Sequence, residues 1–523
     1  MSKLAWKEID WTLVQKRLSR QQRRVYKAST EGKRHIVHAI QRRIIRSLDA
    51  RLVSVRLATL ENRGRNSADL DNDSGKVLSH KDKIKLVSRL SLGRNLNYTR
   101  KIYLPRTRKK KKILKPGSML TFEDRAKQML AKLALEPEWD AIFEFNSFGF
   151  RYWKSSHNAI SSVFLSLKKK PQFVLEAAIH DGFNEINYDK LIVKMDTFSL
   201  MKKQIKSWLE GNILLDVENE SNEVTKILED TLQKGIISPL LVNILLHGLE
   251  NYIKEWYSSY WYPSSNYTNY KRKNDRKVII GFSRYLNNFI ITAPTYTDMV
   301  EIEKVTKKWL IKETGLKLSK IKAKIINTTA GFKFLGFQII SIKIPRSTRY
   351  KVNIRPSKES ISKLIQCVRR IIQENKSVSS YDLILLLSNK IIGWANYFNF
   401  GECRKDFSKI DHIILKQIRA WVLRRKSKGL RSREKLKEKY FPSTNTYIFE
   451  GIKYQNNWVL TGNTVNPMKG KLKQNFLPKM SWVSSTKSIN NTRKVCPYYN
   501  NQLYCFKRTT QLSNFSDEYR TLI

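Results

Sequence analysis

Between Val278 and Thr292 the chain reads VIIGFSRYLNNFIIT. Two short apolar runs enclose Tyr285-Leu286-Asn287-Asn288, a pattern that predicts a β-hairpin with its polar pair at the tip. Four further stretches stand around it in the sequence: LTFEDRA (Leu120 to Ala126), NSFGFR (Asn146 to Arg151), TLQKGIISPLLVNI (Thr231 to Ile244) and GFKFLGF (Gly331 to Phe337). VLEAAIHDGFNEIN, from Val174 to Asn187, reads as a strand entering a helix.

Charge narrows the partners. Against 45 acidic residues stand 99 Lys and Arg, a formal charge of +54. A charge of that size repels itself in the compact state, so an anionic partner is the natural compensation. The basic residues run the whole length and are interleaved with Tyr, Phe and Trp, which suits RNA better than one membrane-facing patch. At 523 residues, 41% of them hydrophobic, the chain has room for two to four domains with real cores. Four scattered cysteines (Cys367, Cys403, Cys496, Cys505) make no secreted disulfide scaffold, and a reducing compartment is expected. No window approaches 18 apolar residues, so no membrane partner is expected. MSKLAWKEIDW has no signal-peptide core, and its early Glu8 and Asp10 argue against a transit peptide. Synthesis at the place of work follows, and heavy use of Lys, Ile and Asn points to an AT-rich genome: a plastid first, with a mitochondrion or bacterial cytoplasm as alternatives.

Residues 1–100 read as helices. Val37, Ile40, Ile44, Leu48 and Leu52 recur at three- and four-residue steps and predict one apolar stripe. Arg42, Arg43 and Arg46 decorate the other faces, either as a solvated surface or as an RNA grip. Arg106 to Lys112, RTRKKKK, lies before Pro116 and Gly117 and is expected to be a loop outside the core. Leu120 to Leu135 is a helical run with Thr121 as N-cap. Phe148 and Phe150 read as core aromatics or as base contacts. Asp216 to Asp230 is an acidic, solvated island. From about Arg355 the pattern turns helical, with a helix opening at Ile354-Arg355-Pro356-Ser357 and running through Ile372. Within NKIIGWANYF, core packing is the favoured reading of Trp394 and Tyr397, with RNA stacking as the alternative. Arg424, Arg425, Lys426, Lys428, Arg431 and Arg433 form the next basic cluster.

In this order and spacing, the motifs resemble the finger and palm motifs of group II intron reverse transcriptases, also called intron maturases. Gly393, Trp394, Asn396 and Tyr397 match the G-W-x-N-Y signature of the family's domain X, and Trp6 to about Leu90 resembles its N-terminal domain. The resemblance implies an α+β fold: a helical N-terminal region, a right-hand-like fingers-palm unit around an antiparallel sheet, and an all-α thumb. The corresponding segments are 1–100, 101–345 and 346–441, with 442–523 a degenerate DNA-binding and nuclease-like tail. No His lies beyond His412, so that tail holds neither a nuclease base nor a Cys/His zinc site.

The departures from the family pattern decide the expected activity. Where the family's hairpin tip reads YADD and its first Asp binds metal, this chain has Asn287 and Asn288. The second Asp of the family's V-L-D-A-D-I run is here Ala178, which has no ligand atom. A carboxamide offers a neutral oxygen and cannot balance Mg²⁺ as a carboxylate does. Glu176, on the face of Ala178, and Asp181 are the carboxylates left to substitute, yet two-metal chemistry needs ligands clamped around ions about 4 Å apart. Tyr152-Trp153 and Lys234 also depart from the pattern. The expectation is a maturase without polymerase or endonuclease activity, with no catalytic residue and no protein-held metal or cofactor, Mg²⁺ arriving only with bound RNA. Intron RNA is the expected partner, and a homodimer is left open. The RNA-contacting residues that the resemblance implies are Arg42, Arg43, Arg46, Arg108, Lys109, Lys110, Lys111, Lys112, Arg125, Lys322, Arg424, Arg425, Lys426, Arg431 and Arg433. An active RNA-directed DNA polymerase supporting intron mobility and a general RNA chaperone are the alternatives.

Overall fold

The computed structural model describes residues 5–60, 78–93, 101–108, 111–118, 121–168, 170–179, 186–210, 235–261, 280–319, 323–425, 433–443, 446–455, 458–465, 472–485 and 498. They fall into two compact units, one within residues 1–166 and 173–325 together with Tyr498, the other within residues 167–172 and 326–485. Among the described residues no helix is long and apolar enough to cross a membrane.

In the first unit α1 (Trp11–Thr30), α2 (Arg34–Arg46), α3 (Leu48–Leu60) and α4 (His80–Arg89) precede a hairpin of β1 (Lys101–Arg108) and β2 (Lys111–Ser118) and a long helix, α5 (Phe122–Ile142). The apolar stripe predicted across Val37 to Leu52 is divided between two helices. Ser47 is extended (φ −71°, ψ 142°), and its hydroxyl accepts from the Ala50 N–H at 3.2 Å, capping α3. Val37, Ile40 and Ile44 are buried in α2 and Leu52 in α3, but Leu48, on the first turn of α3, is 37% exposed. The predicted loop at Arg106 to Lys112 is instead hairpin, with Arg108 opposite Lys111 and Thr107 opposite Lys112. Lys109 and Lys110 lie outside the described residues.

Helix α5 is the spine on which α1, α2 and α3 pack. Ala126, Ala131 and Ala134 are fully buried, and their small side chains let neighbouring helices approach closely. The helix runs seven residues beyond the predicted end at Leu135, straight through Pro137. Proline has no N–H, so the carbonyl four residues back, that of Leu133, loses its partner within the helix. Gln22 of α1 supplies the replacement: its buried Nε2 donates to the Leu133 oxygen at 3.0 Å. An interhelical bond removes the penalty that normally ends a helix at proline.

The palm of this unit is a mixed sheet of β3 (Ser147–Phe148), β4 (Phe173–Ala178), β5 (Gly281–Tyr285), β6 (Asn288–Ala293) and β7 (Lys324–Asn327), in the order β3-β5-β6-β4-β7. Strand β6 is antiparallel to both neighbours, whereas the two-residue β3 runs parallel to β5, so the sheet is not wholly antiparallel as expected. The helices of the same unit are α6 (Ser156–Leu167), α7 (Tyr188–Met195), α8 (Ser199–Glu210), α9 (Ser238–Leu245), α10 (Leu249–Trp261) and α11 (Tyr296–Thr314). Helix α11 lies against β4 and β6. On the sheet, Ser283 of β5 donates to the Ala159 carbonyl of α6. With both faces covered, β6 is buried along nearly its whole length, which explains its unbroken apolar run.

The second unit begins with an antiparallel sheet, β8 (Phe332–Phe334), β9 (Phe337–Lys343) and β10 (Tyr350–Pro356), in the order β10-β9-β8. The predicted helix start at Ile354 is the end of β10; the helix α12 (Lys358–Glu374) begins after Ser357, whose hydroxyl accepts from the Ser360 N–H. Helices α13 (Ser380–Phe398), α14 (Arg404–Leu423) and α15 (Arg433–Tyr440) follow. Trp394 is 3% exposed and packs on Phe398 at 4.3 Å, and Tyr397 donates to the Leu335 carbonyl at 3.0 Å. Both are packing residues. Arg355 reaches Asp406 through two bonds of 2.9 and 2.6 Å, tying β10 to α14.

From residue 442 to residue 485 the described chain stays with this unit. Two hairpins, β11 (Thr446–Phe449) with β12 (Ile452–Gln455) and β13 (Thr461–Val465) with β14 (Leu472–Phe476), lead to a short 3₁₀ turn, Met480–Trp482. Strands β13 and β14 pack on α13. Gly462 approaches so closely that a Cβ there would lie 2.4 Å from the Tyr381 nitrogen. Trp482 gathers Tyr447, Phe449, Tyr454 and Phe476 around its ring. Cys496 and Cys505 lie outside the described residues.

Replacing Gln22 with Leu fills the same space but leaves the Leu133 carbonyl without a donor. The variant is expected to lose about 1–3 kcal/mol, the cost of an unsatisfied buried polar group. Chemical denaturation followed by circular dichroism checks it. An unchanged midpoint would show that Pro137 needs no support from α1.

Candidate functional site

The hairpin brings the three altered positions together. Cross-strand pairing sets Ala178 of β4 opposite Asn288 of β6, and Asn288 opposite Tyr285 of β5. Directly paired residues share a face of the sheet. Asn287 lies in the two-residue turn, and its carbonyl accepts from the Ile179 N–H at 2.9 Å. On the other side of β4, the Ala178 carbonyl accepts from Ser319 N–H at 2.9 Å. The first turn residue, Leu286, has φ 52°, a conformation that costs a bulky side chain energy and requires firm support.

That support is a buried arginine. Arg284, fully buried and adjacent to the tip, donates through Nη1 to Asn243 Oδ1 at 3.0 Å and through Nη2 to Ser147 Oγ at 2.6 Å. Asn243, on α9, in turn donates to the Gly149 carbonyl at 3.1 Å. Gly149 has φ 91°, and a Cβ there would sit 3.2 Å from the Tyr285 ring. The Arg284 backbone N–H donates to the Asn146 carbonyl at 2.9 Å, and Asn146 Nδ2 to Glu250 at 2.6 Å. Burial pulls the Arg284 guanidinium down to about 10, with Glu144 and Glu250 opposing the shift, so it stays charged at neutral pH. Residues from three separate sequence motifs thus meet on one guanidinium.

Arg151 is structural in the same way. Its Nε donates to Asp140 at 3.0 Å, and Nη1 donates to the Glu144 and Ser147 carbonyls. Phe148 is fully buried, which makes it a core aromatic. Lys194, on α7, is pulled down to about 8 by burial; its Nζ donates to the carbonyls of Leu245 and His247 and lies 5.4 Å from the Trp309 ring centre. Neither Arg284 nor Lys194 stood out as a site in the sequence. The available signal for Arg284 was a lone arginine inside an apolar strand, which has to be paired where it is buried.

The donor set does not fit a pair of divalent ions. Ala178 contributes a methyl group, and Asn287 and Asn288 contribute neutral carboxamides. Hard dications take charged carboxylate oxygens, and two ions need several of them at once. Glu176 lies two residues along β4, about 6.6 Å away at the strand's rise per residue. Asp181, Lys234 and Lys322 lie outside the described residues.

The basic residues fall into different settings. Arg42, Arg43 and Arg46 are exposed on α2, with the Arg42 guanidinium 5.4 Å from the Phe198 ring centre. Arg125 is half-buried over Phe122 at 4.8 Å. Arg108 closes β1, while Lys111 and Lys112 open β2. Arg424 is exposed at the end of α14. Arg425 is not placed like its neighbour: it stacks on Trp421 at 3.7 Å and donates to the carbonyls of Lys376 and Val378, holding the turn between α12 and α13. Arg433 opens α15, and Lys426 and Arg431 lie outside the described residues.

Three family models match the chain. Residues 6–90 match the N-terminal domain of reverse transcriptase, 107–339 the reverse transcriptase (RNA-dependent DNA polymerase), and 361–441 the group II intron, maturase-specific domain. Among curated proteins, the chain is similar to Protein YkfC of Escherichia coli, 28% identical over 46% of this chain and 66% of that protein. Maturase-like protein 1 of Euglena gracilis is 24% identical over 75% of this chain and 77% of its own length. Group II intron-encoded protein LtrA of Lactococcus lactis is 30% identical over 29% of this chain and 25% of its own. The chain spans just under two thirds of the Escherichia coli relative and a quarter of the Lactococcus one.

Arg284→Met should cost about 3–5 kcal/mol, the range for breaking a buried charge interaction, by stranding Asn243, Ser147 and the nearby carboxylates. Arg284→Lys should recover only part of it, because one ammonium cannot reach both partners as the planar fork does. Denaturant midpoints of the three proteins test this. Equal stability of wild type and the Met variant would remove Arg284 from its assigned place.

Proposed function

We propose that this chain, which belongs to the group II intron-encoded reverse transcriptase and maturase family, binds structured intron RNA and assists its splicing, with a palm that performs no polymerisation. One observation carries the reading. The buried network that shapes the palm hairpin is intact, while the three positions it presents bear a methyl group and two amides. The protein's role is then to hold the folded RNA, which carries out the chemistry itself.

The charge supports an RNA partner. Lys and Arg side chains that neutralise phosphates release counterions, so affinity is strong and falls steeply with salt. Such contacts set affinity and register without reading sequence. Exposed Arg42, Arg43 and Arg46 on α2, and Arg424 at the end of α14, are the described arginines assigned to phosphate contact. Arg425 is not, since its guanidinium is held by backbone carbonyls. The relatives come from bacteria and from eukaryotes. A Lys-, Ile- and Asn-rich composition favours an AT-rich organellar genome, and we place the protein in a plastid. The substrate is expected to be the intron that contains or neighbours the gene.

A splicing assay with that intron RNA tests the reading. Asn287→Ala with Asn288→Ala should splice as wild type does, because those side chains hold no metal. Changing Arg42, Arg43 and Arg46 together to Ala should weaken binding and reduce the slope of log affinity against log salt by about 2–3, at somewhat under one unit per phosphate contact. The reading fails if the asparagine variant stays folded yet stops splicing, or if the arginine variant binds and splices unchanged.

A further inference from the structure

The second unit contains a cleft of about 530 Å³ between α14 and the region after the thumb helices, lined there by Tyr454, Trp458 and residues 477–482. One wall is a single face of α14, where Arg404, Asp411 and His412 recur at helical spacing. Arg404 and His412 are exposed. Asp411 is occupied from within: its two oxygens accept from the N–H groups of Met480 and Ser481 at 2.9 and 3.0 Å. The other wall is aromatic. Tyr454 stacks on Trp482 with ring centres 4.6 Å apart and planes 12° from parallel, and its hydroxyl donates to the Trp482 carbonyl at 3.2 Å. Trp458 stands beside it with the Arg419 guanidinium 4.4 Å from its ring centre. Lys479 lines the same cleft.

These features define a ligand chemistry. Flat rings fixed by their neighbours suit a planar base, and the cations beside them suit a phosphate. The surrounding segment has the same bias: residues 451–490 carry six lysines and no acidic residue. The volume lies within the range of small-ligand sites and accommodates a single nucleotide, not a duplex. We propose that this cleft receives an unpaired nucleotide of RNA, its base against Tyr454 and Trp458 and its phosphate toward Arg404 and His412. The assignment rests on the RNA-binding reading above and adds a subsite for single-stranded RNA. It also gives the region after the thumb a role, since Tyr454 and the segments flanking the second hairpin build the wall opposite α14.

The test uses the full chain and a short unstructured oligoribonucleotide carrying one 4-thiouridine. Ultraviolet crosslinking followed by peptide mapping should place the label within residues 452–460 or 477–482. Arg404→Gln combined with His412→Ala changes exposed side chains only, and should weaken oligonucleotide binding about tenfold, the loss expected for charge-assisted contacts. Structured intron RNA, measured in parallel, should still bind the double variant. Crosslinks confined to other peptides, or an unchanged oligonucleotide affinity in the double variant, would overturn the cleft while leaving the broader reading in place. Loss of binding to both RNAs by the wild-type protein would overturn both. Equal labelling by free 4-thiouridine monophosphate would make the cleft a mononucleotide site and overturn the assignment to RNA.

Discussion

The buried guanidinium of Arg284 is the interaction on which the palm depends. A charged group without water is tolerable only where hydrogen bonds and opposite charge replace hydration. Asn243 and Ser147 give the bonds, and Glu144 and Glu250 the compensating field. The network forces four elements into register: the Ser147 to Arg151 segment, helix α9, helix α10 and the hairpin itself. Leu286 can hold its unfavourable backbone conformation because Arg284 and Tyr285 just before it are fixed from below. None of these contacts involves a metal ligand. The shape of a polymerase palm is therefore sustained by interactions independent of the carboxylates that polymerase chemistry requires, and it survives their replacement.

Charge divides by depth. Inside, cations are held by backbone carbonyls and carboxylates: Arg151 by Asp140 and Lys194 by the end of α9. Over the whole chain 45 acidic residues stand against 99 Lys and Arg, which leaves a net formal charge of +54. Surface ion pairs contribute little in any case, so the excess is free to act on an external polyanion. On the proposed function RNA is that polyanion, and the same surface that destabilises the free protein by self-repulsion becomes favourable in the complex.

The fold class and the family were legible because they reside in local patterns. Apolar runs around Tyr285 to Asn288 are a hairpin in any context, and the spacing of Gly393, Trp394 and Tyr397 marks one helix face. What the sequence could not convey was bonding between distant segments. The run from Leu120 reads as a helix only to Leu135; its passage through Pro137 depends on Gln22, more than a hundred residues earlier, which satisfies the Leu133 carbonyl. The stripe from Val37 to Leu52 reads as continuous because apolar spacing carries no sign of the cap that Ser47 makes. Arg424 and Arg425 are indistinguishable as letters, yet one faces solvent and the other is bound to carbonyls. The polar, aromatic stretch after Pro442 reads as a worn tail. Its order depends on Gly462 meeting the backbone of Tyr381 and on rings converging on Trp482, contacts that no periodicity announces.

The proposed function makes the palm a retained shape without metal chemistry. The most direct measurement is templated DNA synthesis by the purified full-length chain on a primed RNA template, with Mg²⁺ and separately with Mn²⁺, beside a heat-inactivated control. The account predicts no primer extension with either ion, since Ala178, Asn287 and Asn288 give neither ion a carboxylate. Template-dependent extension above the control would contradict it and return a working metal site to this palm.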